Sequence, residues 1–316
     1  MNEITADNNE SYLHVYKDFR HLVEYPDDDR LDFINEVRWV NYEVADNIIL
    51  ELNGLLRFPK RLRMPNLLIV GDSNNGKTSI AHRFFRKHGM PVEENGILVK
   101  PVIFANAPSS TNEKDLYMSI LEALHMPYRT KDSASSLLYQ VLHLCREYQV
   151  KMIMVDELHS LLTGTPRQQR QVMNALKTLC NELQIPIVGI GTQDAKRVLH
   201  TDPQHASRFD IVEVPLWKLD KKFQELLFRL ESVFPLKKPS ELHQPKTAAL
   251  IHAVSKGNLG NVHRLLSVCA KDAILSGTEQ ITEDILTKNK DIRPTEGTQV
   301  MVSVKPLPVA TPSFRW

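Results

Sequence analysis

The sequence predicts an α/β protein: a parallel sheet covered by helices on both faces, followed by a small helical lid. Three observations predict it. Short apolar runs alternate with amphipathic stretches between residues 66 and 215, and strands buried on both faces read as continuous rather than alternating apolar runs. After Pro215 the apolar positions keep a helical period, with no strand run of comparable strength. A glycine-containing turn lies between the first apolar run and the helix after it, at the end of a parallel strand where such sheets bind ligands. At 316 residues the chain exceeds what one core usually serves. The expected division is an arm over residues 1–30, a core over 31–215, a lid over 216–292 and an extended tail over 293–316.

Taken in order, the first thirty or so residues are polar, with an acidic run at Asp27, Asp28 and Asp29, and read as a poorly ordered arm. Val37, Val40, Val44, Ile48, Leu52 and Leu55 keep a helical period that ends near Pro59. Strands are expected over residues 66–70, 99–104, 152–155, 187–190 and 211–215. Helices are expected over 79–88, 113–124, 133–148 and 168–183, the last from the spacing of Val172, Leu176, Leu179 and Leu183. Lid helices are expected over 219–234, 246–256 and 261–276. From Arg293 onward, Pro294, Pro306, Pro308 and Pro312 among isolated apolar residues read as an extended tail.

Composition is that of an ordinary soluble globular protein, 42% hydrophobic, 24% charged and 7% aromatic. A net charge of +1 excludes a globally basic nucleic-acid binder, so any such role needs basic residues gathered on one face. Cys145, Cys180 and Cys269 are far apart and sit in helical stretches, which reads as reduced core thiols in a reducing compartment. No apolar stretch approaches a membrane span, and the first residues carry acids where a signal peptide carries bases. A cytoplasmic protein with no membrane partner is the expectation.

The chemistry concentrates in two segments. Gly71, Asp72, Ser73, Asn74, Asn75, Gly76, Lys77 and Thr78 fit the phosphate-loop pattern, preceded by a strand and followed by a helix that Ser79 continues. The glycines let the backbone curl so that N–H groups face phosphate oxygens, and the helix adds its positive end. ATP with Mg²⁺ is the expected ligand, with Lys77 on the β and γ phosphates and the Thr78 hydroxyl on the metal. The second segment ends an apolar strand in Asp156 and Glu157. Asp156 is placed for Mg²⁺, and Glu157 to orient or deprotonate the attacking water. A Glu beside the Asp favours hydrolysis over transfer to a bound acceptor.

Two further residues are candidates. Thr192 ends the strand over 187–190. In P-loop NTPases of the AAA+ class that strand lies between the other two, and its polar end residue meets the γ-phosphate or the water; a strand-end turn hydroxyl is the plain alternative. Arg208 precedes the last strand, where AAA+ proteins carry a finger that reaches the nucleotide of the neighbouring subunit; a surface ion pair with Asp210 is the alternative. In the lid, Arg264 is the one candidate nucleotide sensor, but it lies several residues into its helix, and Asn261 stands where a basic residue is often found. An ordinary helix-surface arginine is the better reading there.

The stretch from Arg63 to Thr78, the run Val155-Asp-Glu-Leu-His-Ser-Leu-Leu-Thr-Gly164 and Gly257-Asn-Leu-Gly260 together resemble the TniB family, from about residue 30 to about residue 290. The resemblance implies an AAA+ ATPase that assembles as a ring or helical filament on double-stranded DNA in the ATP state. It further implies recruitment or activation of an integrase-like transposase, with a target-selecting transposition protein as second partner. The strand-transfer chemistry then resides in the transposase. DNA-contact candidates are Arg57, Lys60, Arg61 and Arg63; Arg83, Arg86, Lys87 and His88; and Ser109, Ser110, Thr111 and Lys114 with Lys100 nearby. Solvated helix faces, or a Ser or Thr helix cap with Glu113 in the first turn, explain the same residues. Two other functions share these residues: a nucleotide-gated docking scaffold that uses the tail, and a loader or remodeller acting on DNA.

Overall fold

The computed structural model describes residues 11–36, 38–108, 110–200 and 207–291. Five strands form one parallel sheet: β1 (Asn66–Gly71), β4 (Val102–Asn106), β5 (Met152–Asp156), β6 (Ile187–Gly191) and β7 (Phe209–Val214), in the order β4-β5-β6-β1-β7. A separate antiparallel hairpin joins β2 (Val92–Glu94) to β3 (Ile97–Val99). β1 is buried along its whole length and pairs with β6 on one side and β7 on the other, Leu67 lying between Val188 and Asp210.

Both sheet faces are apolar because alternate residues of each strand point to opposite sides. Leu67 and Ile69 join Met152, Met154, Val188 and Ile190 on one side. Helices α2 (Glu43–Leu56) and α3 (Lys77–His88) cover that side with Ile48, Leu52, Ile80 and Phe84. Leu68 and Val70 join Ile103, Ile153 and Val155 on the other, under α4 (Glu113–Ala123), α5 (Ala134–Glu147), α6 (Pro166–Leu183) and α7 (Gln193–His200). α6 begins in a capping box between Thr165 and Gln168, with Pro166 in its first turn, so its donors are satisfied from the start. The lid contains α8 (Lys221–Glu231), α9 (Pro245–Ser255), α10 (Leu259–Leu275) and α11 (Glu283–Lys288). Its apolar side, including Phe223, Leu227, Val262 and Leu266, is continuous with the core of the α2–α3 face.

Several expectations need correction. Residues 11–30 are not a loose arm. A 3-10 helix (Lys17–Glu24) and α1 (Asp27–Asn35) pack on the lid, burying Val15, Val23 and Ile34. Tyr16 N–H donates to Ser232 O at 2.8 Å, and Arg30, fully buried, donates to Pro235 O and to the Glu279 carboxylate. Residues 1–10 lie outside the described residues. The expected strand over 99–104 is broken at Lys100-Pro101, because proline has no N–H for the ladder; Pro101 instead accepts from Lys151 and Met152. The helix expected from Val37 begins at Glu43. Trp39 and Tyr42 are held in extended chain, their rings 6.1 Å apart, and Val37 lies outside the described residues. The tail from Arg293, and with it the docking role assigned to it, also lies outside them.

Candidate functional site

β1 delivers the chain to Gly71 at its C-terminal end. A β-carbon on Gly71 would stand 2.6 Å from the Val214 carbonyl oxygen, so only glycine lets the strand end run this close to β7. The loop then turns through Asn74 (φ 60°) and Gly76 (φ 84°), the second being the N-cap of α3. Left-handed backbone at this point aims the first amides of α3 into the loop, and no side chain caps them. A helix start with open donors is an anion site.

Lys77 is buried, and its Nζ donates to Asp72 O at 2.7 Å inside the loop. Burial lowers the pKa of this ammonium, while Glu157, Asp156 and Asp72 oppose the shift. Three acids therefore face the lysine. The Asn75 side chain turns away from the loop: its Nδ2 donates to Val214 O (3.0 Å) and Pro215 O (2.9 Å) and its Oδ1 accepts from Leu259 N–H (3.1 Å). That side chain is a strut between loop, sheet and lid.

The other components arrive on adjacent strands. β5 ends in Asp156, which is buried, with Oδ1 accepting from Glu157 N–H at 2.8 Å. Glu157 has φ 55°, a left-handed conformation unfavourable for a residue with a side chain, and its Oε2 lies 3.2 Å from His159 Nε2. β6, between β5 and β1, delivers Thr192, whose buried Oγ1 has no hydrogen-bond partner. His159 Nδ1 is in the same condition. Buried polar atoms are nearly always satisfied, so an orphan hydroxyl at the mouth of the phosphate loop fits a ligand oxygen. Thr78, half-buried, completes the set. Among the described residues no group of three or more His, Cys, Asp or Glu could hold a metal. A Mg²⁺ held by few protein oxygens and by the phosphates is compatible with that donor set.

The sequence reading did not anticipate how the lid meets the loop. Asn258 Nδ2 donates to Ser73 O, and Gly260 N–H to Asn74 O, both at 2.9 Å. A β-carbon on Gly260 would stand 2.2 Å from the Asn74 side chain. The signal was the Gly257-Asn-Leu-Gly260 run, which had no assigned contact. Tyr42 was missed as well: its hydroxyl would stand 3.3 Å from a β-carbon on Gly76, and its ring meets Trp217 at 5.5 Å. Arg264 is exposed on α10.

Arg208 lies at the opposite end of the sheet, preceding β7, where its Nη1 donates to Asn181 Oδ1 at 3.3 Å. An Arg208–Asp210 pair is not among the ion pairs of the described residues. Of the DNA-contact candidates, Arg83 stacks over Trp39 (4.8 Å) and Lys100 donates to Leu124 O (2.9 Å). α4 is capped by Asn112, not by Ser or Thr; Thr111 is buried against Gly164, and Ser109 lies outside the described residues.

The profile of the family described as bacterial TniB protein matches residues 30–219. The chain belongs to the TniB family. No curated protein matches it. Solved structures with the same fold include the ORC2 protein of Aeropyrum pernix in ADPNP–ADP complexes (TM-score 0.58, 16% identity, covering 82% of this chain and 70% of that one). Cdc6p of Pyrobaculum aerophilum is equally similar (0.58, 17%, 82% and 70%). The A. pernix ORC1 protein in complex with DNA also has this fold (0.55, 18%, 83% and 68%). This TniB-family chain thus has the fold of the AAA+ P-loop ATPases, and β6 between β5 and β1 is the strand order expected of that class. Among the described residues no helix is long and apolar enough to cross a membrane.

Proposed function

We propose that this TniB-family chain is an ATP-dependent, DNA-binding regulator of transposition: an ATPase that assembles on double-stranded target DNA as a ring or filament and recruits or activates an integrase-like transposase, together with a target-selecting protein, in the bacterial cytoplasm. The observation that carries the reading is the convergence of the phosphate loop, the Asp156–Glu157 pair and Thr192 at the C-terminal ends of three adjacent strands.

In this reading Lys77 exchanges Asp72 O for the β and γ phosphates, leaving a preformed cradle of α3 amides to take the rest of the charge. Thr78 and Asp156 would hold Mg²⁺, which when bound neutralises the phosphate oxygens. Glu157 orients the attacking water and accepts its proton. Thr192 Oγ1, without a protein partner, donates to the γ-phosphate or the water. Arg208 serves the nucleotide of the next subunit. Family membership supports the role in transposition, and the likeness to a DNA-bound ORC1 protein supports duplex DNA as the platform.

The test uses Glu157→Gln. It should keep nucleotide affinity, lose turnover, and hold ATP-bound assemblies on duplex DNA, seen by electron microscopy and by phosphate release. Unchanged turnover in Glu157→Gln would overturn the assignment.

A further inference from the structure

The turn after β5 sets a histidine against the carboxylate that ends the acid-tipped strand. Glu157 follows the last residue of β5 and is followed at once by a 3-10 turn (Leu158–Leu162). Ser160 N–H donates to Glu157 O at 2.8 Å, and Glu157 takes a left-handed φ of 55°. A turn of that shape folds the residue two positions on back towards Glu157, and that residue is His159. Its Nε2 lies 3.2 Å from Glu157 Oε2. The backbone beneath both side chains is fixed. Leu158 and Leu161 are fully buried, and a β-carbon on Gly189 of β6 would stand 2.5 Å from the Leu158 side chain. A β-carbon on Gly191 would stand 3.4 Å from His159 N and 3.7 Å from His159 Cβ, which seats the histidine on the end of β6, beside the residue before Thr192.

Left-handed backbone at a residue with a side chain persists only where its surroundings enforce it, and it clusters at functional sites. Stability does not account for the imidazole. Its Nδ1 is buried without a partner, whereas a histidine kept for packing satisfies both ring nitrogens. Nor does the contact draw the carboxylate away from the phosphate loop. Burial lowers the pKa of Lys77, and Glu157 opposes that shift most strongly, ahead of Asp156 and Asp72. The carboxylate that His159 touches therefore still faces the lysine. A neutral imidazole with its proton on Nε2 can hold one carboxylate oxygen and leave the other for a water. Glutamate reaches its carboxylate through three rotatable bonds, so a hold of this kind removes freedom that would otherwise be lost during reaction.

We propose that His159 is a positioning residue for hydrolysis, acting through Glu157 by holding Oε2 so that the carboxylate meets the attacking water in one orientation. The inference rests on the ATPase reading above, in which Glu157 accepts the proton of that water.

The test measures ATP hydrolysis by the full chain on duplex DNA for two variants. His159→Phe keeps a ring and loses both nitrogens; His159→Gln loses the ring and keeps a donor near the place of Nε2. His159→Phe should lower kcat by about tenfold or more and leave KM for ATP within about twofold, since misplacing a reacting group by 1 Å costs up to about a hundredfold. His159→Gln should recover most of that loss. The melting temperature of His159→Phe should be no lower than that of the unaltered protein, because the variant removes an unpartnered buried nitrogen. A residue kept only for packing predicts the reverse order, with Phe tolerated and Gln not. Should His159→Phe fail to bind a non-hydrolysable ATP analogue, His159→Ala takes its place with the same expected loss of kcat. A full rate from the ring-only variant, a rate above that of the unaltered protein, or equal loss in both variants overturns the proposal. Glu157→Gln is measured beside them. If it turns over at the unaltered rate, the ATPase assignment itself fails; its expected loss beside a full rate in His159→Phe sinks only the role of His159.

Discussion

At the scale of single residues, the site is held ready by contacts a ligand must replace. Lys77 donates its ammonium to a loop carbonyl with three acids nearby, so removing it leaves those acids without a cation and, in the proposed function, takes the counter-charge from the phosphates. Thr192 makes a sharper prediction. A buried hydroxyl without a partner costs about 1–3 kcal/mol of desolvation. Thr192→Val, nearly the same shape, should therefore leave the nucleotide-free protein as stable or up to about 1 kcal/mol more stable, while slowing hydrolysis. Urea unfolding and phosphate release measure the two effects; a destabilised Thr192→Val with normal turnover would contradict the role given to this hydroxyl. Gly260→Ala forces a methyl against Asn74 and should cost about 1–3 kcal/mol in overpacking, loosening the lid from the loop. Thermal unfolding of that variant with and without nucleotide reads it. The positions of Asp156, Glu157 and Thr192 at strand ends, and of Lys77 and Thr78 at the start of the helix after β1, were legible in the sequence because apolar runs mark the strands. The side-chain contacts of Asn75 were not legible, since nothing in a loop motif reveals that an amide will bond a strand far along the chain.

At the scale of elements, the least legible was the N-terminal segment. Its polar composition reads as loose chain, yet α1 brings Arg30 into the lid, where it bonds Pro235 O and Glu279. Those partners lie more than two hundred residues away, and no local pattern encodes them. Burial alone would raise the Glu279 carboxyl, but the hydrogen bond and charge of Arg30 outweigh it and hold the pKa below its ordinary 4.5. A carboxyl lowered by folding contributes stability that is complete above its unfolded value and fades as pH falls through the folded one. The intact protein should thus lose stability on acidification below about pH 4.5. Arg30→Met should cost about 3–5 kcal/mol at neutral pH, as breaking a buried pair does, and flatten that acid limb. Melting temperature against pH decides it; a parallel curve for the variant would remove this pair from the account. The thiols follow the same logic. Burial pushes Cys145 and Cys269 up to about 12, so thiol reagents should label them on unfolding and scarcely before. The strand order, by contrast, was accessible once the loop motif fixed which strand comes first, whereas the break at Pro101 needed the observation that its carbonyl, and not an N–H, serves the sheet edge.

At the scale of the whole molecule, two charged ends sit on opposite edges of one parallel sheet and the lid is hydrogen-bonded to the phosphate loop. Lid position is therefore coupled to whatever occupies the loop, through Asn258, Leu259 and Gly260. Assembly on duplex DNA, if driven by phosphate contacts, should weaken linearly in log–log form as salt rises, and a salt-independent affinity would argue against that driving force. The measurement that bears most directly on the central claim is calorimetric titration of the purified chain with Mg²⁺ and a non-hydrolysable ATP analogue, alongside Lys77→Ala. Saturable binding by the unaltered chain is expected, and it should be lost in Lys77→Ala. No binding to the unaltered chain, with or without duplex DNA, or equal binding by both proteins, would contradict it.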